Sequence, residues 1–384
     1  MTDARKMMFV KVLYSSRFWI PTFVLYLNSR GIETSQVLSL LGAYYVATIA
    51  LEYPTGVVGD VFSHRMSIIL GYVLLAVSFL LSAFPVVPGY AYFFCVLMVT
   101  ALGESLISGS DTALLHEVSD DFSRDFPNIK AVSQVVSFAA LSVGGFAAVA
   151  DLRLPFVLSA VAMIGAACFA FSVSYRPKSR NGGGNVLRTA IDGLAAVRTE
   201  AMVRNLLVVS FLSGSFLFSL KWLYNDLFRQ IALPVVWWGV VPGVATLFVA
   251  VGTIAYRKRP KLSLTAAFLA FTATVPFIGL TWIAAAPLVS IVFVHFLRGY
   301  IESRIMVDIN AAIPAEVRSS VLSLGSLLLR LGAAGYMFVG SQLISAAMPL
   351  LPFLGFSGLL MAFVGMIPLL SLARRKTAGS GKPW

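Results

Sequence analysis

The chain has 384 residues, of which 58% are hydrophobic and 12% charged, whereas soluble domains are about half apolar and roughly a quarter charged. A mean hydropathy of +0.86 excludes an ordinary soluble domain, and the net charge of +12 forms no basic surface interleaved with aromatics, which excludes a nucleic-acid partner. The two cysteines, Cys95 and Cys168, lie in apolar runs without metal-ligand spacing, so no disulfide, metal or other cofactor is expected.

About 20 apolar residues suffice to cross a bilayer as a helix, and twelve such spans follow one another. They are Met7–Asn28, Ser35–Gly59, Ser67–Pro85, Gly89–Ser110, Ala131–Ala150 and Leu154–Ser174, then Asn205–Leu227, Val235–Tyr256, Leu262–Ala286, Leu288–Ile309, Val317–Ser345 and Ala346–Ala373. The opening MTDARKMMFVK is basic, but the first span contains Arg17 and has no small-residue cleavage site, so it is expected to be a retained helix rather than a signal peptide.

Orientation follows from the loops. With both termini inside, nearly all basic residues outside the spans fall on the cytoplasmic side, and only Arg30, Arg153 and Arg229 fall on the other. An integral multi-pass protein of a bacterial inner membrane, both termini cytoplasmic, is expected. The net charge is then chiefly an orientation signal.

The longest connection, residues 176–204, opens with the basic, Gly-rich RPKSRNGGGN and separates six spans from six. The expected organisation is a six-helix bundle over 1–175, a cytoplasmic central loop over 176–204 and a second six-helix bundle over 205–384. Val186 to Val197 is patterned as a short amphipathic helix or a tethered loop. Glu104-Ser105 followed by Asp111, and Glu302-Ser303 followed by Asp308, form a faint repeat between the halves.

Between spans 2 and 3 stands GVVGDVFSHR, residues 56 to 65. Gly56, Asp60 and Arg65 in this short connection resemble the loop signature of the major facilitator superfamily, while Val61, Ser63 and His64 depart from it. The matching loop between spans 8 and 9, YRKRPK, is basic without an aspartate. The resemblance implies an all-α membrane fold of twelve helices in two pseudo-symmetric six-helix bundles. It also implies a gating loop in which Asp60 faces the start of span 11, near Pro314-Ala315-Glu316, and Arg65 pairs with an acid at the inner end of span 4, Asp111 or Glu117.

Charge inside a bilayer is costly and faces a bundle interior or a wet cavity. Spans 3, 6, 9 and 12 carry none, whereas spans 1, 4, 7 and 10 carry Arg17, Glu104, Lys221, Arg298 and Glu302, and spans 2 and 11 add Glu52 and Arg330. The resemblance places spans 1, 4, 7 and 10 around a central cavity and 3, 6, 9 and 12 against membrane lipids, in agreement with that distribution. His295, Arg298 and Glu302 share one helix face, as do Glu104, Ser108 and Asp111. Either set could form a substrate and proton site, or Arg298 and Glu302 could simply neutralise each other.

The expected function is proton-coupled secondary transport of a small organic solute by alternating access, as an exporter and a monomer. A slight excess of cations within the spans favours an anionic or zwitterionic solute. Span 5 lacks the proline of the drug-antiporter pattern, which argues against that subgroup. A lipid or lysolipid translocase on the same fold is the alternative, and a membrane acyltransferase using His116 or His295 is weaker, because neither histidine sits in a nucleophile or metal constellation.

Overall fold

The computed structural model describes residues 2–61, 63–174, 195, 197–259, 263–313, 315–346 and 350–377. Among these the regular structure is helical throughout. In chain order the helices are α1 (Asp3–Ser15), α2 (Phe23–Ser29), α3 (Thr34–Val61), α4 (His64–Ala83), α5 (Tyr90–Ile107), α6 (Ser110–Val118), α7 (Phe122–Ala150) and α8 (Leu154–Ser172). They continue as α9 (Ala201–Gln230), α10 (Trp237–Lys258), α11 (Leu264–Thr274), α12 (Ala285–Ala312), α13 (Ala315–Ser345) and α14 (Leu350–Thr377).

Among the described residues ten helical segments are long and apolar enough to cross a membrane, and Leu264–Gly279 is a shorter apolar one. The first expected span is divided into α1, a 3₁₀ turn over Ile20–Thr22, and α2. The expected helix at Val186 to Val197 lies outside the described residues except for Ala195 and Val197, and the side chains of Asp60 and Glu316 lie outside them too.

One correction concerns the motif at residues 56 to 65. It was expected as a loop, but α3 runs on to Val61 and α4 begins at His64, so Gly56 and Asp60 belong to the last turns of a helix. Pro54 lies inside α3, and a proline is tolerated in a membrane helix where neighbouring groups take up the freed backbone partners. The Ser63 hydroxyl caps α4 by accepting from the Met66 N–H at 3.4 Å.

The chain forms two compact units. The first comprises Met1–Asn181, Lys221–Leu247 and Met337–Ser345, and the second Gly182–Leu220, Phe248–Tyr336 and Ala346–Trp384.

In membranes helix association relies on close backbone approach and interhelical hydrogen bonds, since burying apolar surface from lipid gains little. The first unit follows this rule. A Cβ on Gly71 of α4 would lie 2.8 Å from the Gly103 carbonyl of α5, and one on Gly239 of α10 would collide with the Leu141 carbonyl of α7. The second unit repeats it, with Gly252 of α10 set directly against the Phe296 carbonyl of α12 and Gly299 against the Val249 carbonyl. Ser215 of α9 donates to the Leu329 carbonyl of α13 at 3.1 Å.

The outward faces are apolar. On α14, Phe356, Leu359, Leu360, Phe363, Ile367 and Leu370 are exposed at helical spacing, and Val161, Ile164 and Phe171 are exposed on α8. Such stripes suit hydrocarbon rather than water.

Candidate functional site

Two interrupted helices build the site in the first unit. Pro21 has no N–H and its ring crowds the carbonyl four residues back, so the first span loses the helical bond to the Arg17 carbonyl. Its first piece stops at Ser15, and Arg17 lies in the unwound stretch before the 3₁₀ turn. Gly144 of α7 accommodates that stretch, for a Cβ there would run into the Phe18 carbonyl.

The fourth span is interrupted between α5 and α6, where Gly109 takes φ +79°, a conformation that favours glycine. The carbonyls left by the break find partners on other helices. Thr55 donates to the Ser105 carbonyl at 3.0 Å and Ser67 to the Leu106 carbonyl at 2.7 Å. Glu104 therefore stands just before the break and Asp111 in the first turn after it.

Each of these acids meets a cation from α1 or the stretch following it. Arg17 Nη2 lies 2.9 Å from Glu104 Oε1, and the Tyr14 hydroxyl donates to Glu104 Oε2 at 2.5 Å. Lys11 Nζ pairs with Asp111 Oδ2, and Thr112 donates to Asp111 Oδ1 at 3.0 Å. The side chains of Arg17 and Glu104 are 27% and 13% exposed, so the pair is largely removed from solvent. The Tyr72 ring of α4 packs 5.8 Å from that of Tyr14, and its hydroxyl is buried without a hydrogen-bond partner among the described residues. Ser108, at the break, donates to Glu52 Oε1 at 3.2 Å.

The result is a polar column in which Glu104 and Asp111 are each neutralised by a cation from α1 or the stretch after it. Removing one member of a buried pair strands the other charge, at a cost of about 3–5 kcal/mol. A carboxylate so placed can give up its cation only by taking a proton or by exchanging the cation for another partner.

In the second unit the acids are neutralised along one helix. On α12, Arg298 Nε donates to Glu302 Oε1 at 2.7 Å, and Arg304 Nε donates to Asp308 Oδ2 at 2.7 Å, both at i, i+4 spacing. The structural pairing weighed for Arg298 and Glu302 thus exists. His295 is buried, and its Nδ1 lies 2.8 Å from the Ile291 carbonyl. That contact fixes the Nδ1–H tautomer and leaves Nε2 as the acceptor. Arg330 lies in α13, whereas Lys221 belongs to the first unit, where its Nζ sits 4.8 Å from the centre of the Trp222 ring.

Arg65 requires a second correction. Its expected partner was an acid at the end of span 4, yet Asp111 is held by Lys11, and Arg65 Nη2 donates to the Phe171 carbonyl at the end of α8. Lys6 donates to the next carbonyl, Ser172, at 2.6 Å, while Asp3 accepts from both Lys6 and the Ser174 N–H. Two cations therefore occupy the negative end of the α8 dipole, where they contribute about 0.3–1 kcal/mol each when exposed. Glu117 lies in the last turn of α6, partly buried. Gly56 has open space where a Cβ would be.

Lys11 and Tyr14 were not singled out from sequence, Lys11 being grouped with the orientation signal. Their i, i+3 spacing, followed by Arg17 three residues on, places all three near one face of a helix. That was the available clue.

A helical membrane protein whose buried charges cluster at interrupted helices has the architecture of a solute transporter. The Major Facilitator Superfamily model matches residues 7–336, and the chain belongs to that family. Solved structures of the same fold include nucleoside transporter NupG, at TM-score 0.78 and 13% identity over 96% of this chain and 99% of that one. Peptide transporter POT in complex with sulfate matches at TM-score 0.74 and 16% identity over 97% and 94%. A D-xylose-proton symporter matches at 0.71 and 14% over 94% and 95%. Comparison with the curated proteins finds no sequence match. The family and fold are those of a multi-pass membrane transporter.

Proposed function

We propose that the chain is a proton-coupled secondary transporter of a small polar organic solute, anionic or zwitterionic, working by alternating access of two six-helix halves, 1–175 and 205–384. The observation that carries this reading is the Arg17–Glu104–Tyr14 cluster at the broken first span. A carboxylate neutralised by a cation from an unwound backbone segment can exchange that cation for a proton, and an anionic group of the solute can take the cation in its place. Glu104 is then the coupling acid and Arg17 its counter-charge, with Lys11–Asp111 holding the same two helices beyond the break.

The fold neighbours support the class of solute, since they include a nucleoside transporter, a peptide transporter and a proton symporter for a sugar. In the second unit, the Arg298–Glu302 pair and the His295 acceptor are the proposed solute contacts.

Purified protein in liposomes decides the matter. A panel of labelled nucleosides, dipeptides, sugars and organic acids is offered with and without an imposed pH gradient. Accumulation that follows the gradient supports the reading, and its direction distinguishes symport from the proton-driven export expected from sequence. Uptake that ignores pH and is discharged by a sodium gradient would overturn proton coupling.

A further inference from the structure

Asn225 of α9 is 1% exposed, and both ends of its amide are committed to the backbone of the broken first span. The Leu25 N–H donates to Asn225 Oδ1 at 2.8 Å, and Asn225 Nδ2 donates to the Pro21 carbonyl at 3.0 Å. Residues 21 and 25 are the pair that an uninterrupted α-helix joins from N–H to carbonyl four residues back. The amide is thus inserted into one specific rung of the helix, and its orientation is fixed, because an N–H can only donate and a carbonyl can only accept.

The surrounding contacts hold α9 to the same region. Trp222 Nε1 donates to the Tyr45 hydroxyl at 2.7 Å, Thr34 donates to Asp226 at 3.3 Å, and Arg229 donates to Asn28 at 3.3 Å. The Trp19 ring packs 5.7 Å from that of Trp222 and 5.0 Å from that of Phe23. Together these hold the last turns of α9 against the end of the first span that carries Arg30.

We propose that the first span is a two-state helix and that Asn225 holds its broken state. Backbone groups within a membrane protein cannot be left without partners. If α9 withdraws, Leu25 N–H and Pro21 C=O lose the amide together and have each other as the nearest replacement, so the rung closes and the helix rewinds. Arg17 lies just before the 3₁₀ turn, so rewinding moves the cation that neutralises Glu104. Asn225 is in this sense a positioning residue, acting on the coupling pair through the backbone of the first span. The idea rests on the alternating-access reading above, but its test uses neither solute nor pH gradient, so the two can fail separately.

The test places a cysteine at Thr22, which is fully buried with a hydroxyl lacking any hydrogen-bond partner among the described residues, in a chain carrying Cys95→Ser and Cys168→Ser. A membrane-impermeant thiol reagent is added from the Arg30 face in proteoliposomes, and amide hydrogen exchange of residues 23–29 is followed in parallel. Asn225→Ala is expected to raise labelling about tenfold, the effect of losing a hydrogen bond or two from one state, while the 23–29 amides remain protected because the rung has closed. Unchanged labelling overturns the proposal. So does faster labelling with loss of amide protection, which would mean a frayed helix rather than a rewound one. If Asn225→Ala does not fold, the isosteric Asn225→Asp, which keeps the acceptor and loses the donor to Pro21, decides by the same two readouts.

Discussion

Arg17 and Glu104 lie 2.9 Å apart, each within about a turn of an interruption in its own span. A rigid pair of helices would fix such a contact, whereas two interrupted helices can part with it by local rearrangement. Glu104→Gln is expected to abolish solute accumulation driven by a pH gradient while retaining downhill exchange, as measured in proteoliposomes. Gradient-driven accumulation at the unsubstituted level would remove Glu104 from the coupling role.

The same pair makes a stability prediction. Either Glu104→Gln or Arg17→Gln alone strands a largely buried partner and should cost about 3–5 kcal/mol at most, whereas the double variant should recover much of that loss. Thermal unfolding in detergent measures this cycle. Additive losses would show that the two charges are not coupled.

Arg298 and Glu302 differ in kind, because their side chains are 29% and 40% exposed and neighbours on one helix. Such pairs contribute only about 0.3–0.5 kcal/mol. Arg298→Ala should therefore leave the melting temperature nearly unchanged, and is expected to weaken apparent solute affinity several-fold in competition assays. Intact affinity would reduce the pair to a local structural contact.

Glycines of two sorts should separate cleanly. Gly239→Ala drives a methyl into the Leu141 carbonyl, so α7 and α10 must move apart, at a cost of about 1–3 kcal/mol, read as a lower melting temperature and yield. Gly56→Ala meets nothing within 4 Å and should fold normally. Impaired transport by a well-folded Gly56→Ala would locate its requirement in the moving state.

At the C-terminal end of α8 the prediction concerns acid. Burial acts to raise the Asp3 carboxyl, but the Lys6 ammonium and the Ser174 N–H overcome it and hold the group below its ordinary value. A lowered folded pKa gives stability that is present above the ordinary carboxylate range and is lost as pH falls through the folded value. Hydrogen exchange of residues 3–12 should therefore rise below about pH 4, and Asp3→Asn should remove that pH dependence. Arg65→Ala, which removes the other cation from the end of α8, is expected to lower stability by about 1 kcal/mol without that dependence. A pH profile unchanged by Asp3→Asn would place the transition elsewhere.

The all-helical membrane class, the charge-free spans 3, 6, 9 and 12 and the family were legible in the residues themselves, because a bilayer imposes one rule on every crossing segment and each segment can be judged alone. Glu104, Asp111 and Arg17 were legible for the same reason, as charges where charge is costly. Their partners were not. Whether Asp111 meets Arg65 or Lys11, and whether Glu104 is neutralised across helices while Glu302 is neutralised along one, depends on which helices pack together, and no local pattern encodes that. The end of α3 escaped too, since a Gly-rich stretch with an aspartate suits a turn until neighbouring helices support it as a helix. The role of Asn225 was hidden most completely. An asparagine in an apolar span announces only a polar group needing a partner, and the partner is a backbone rung some 200 residues away.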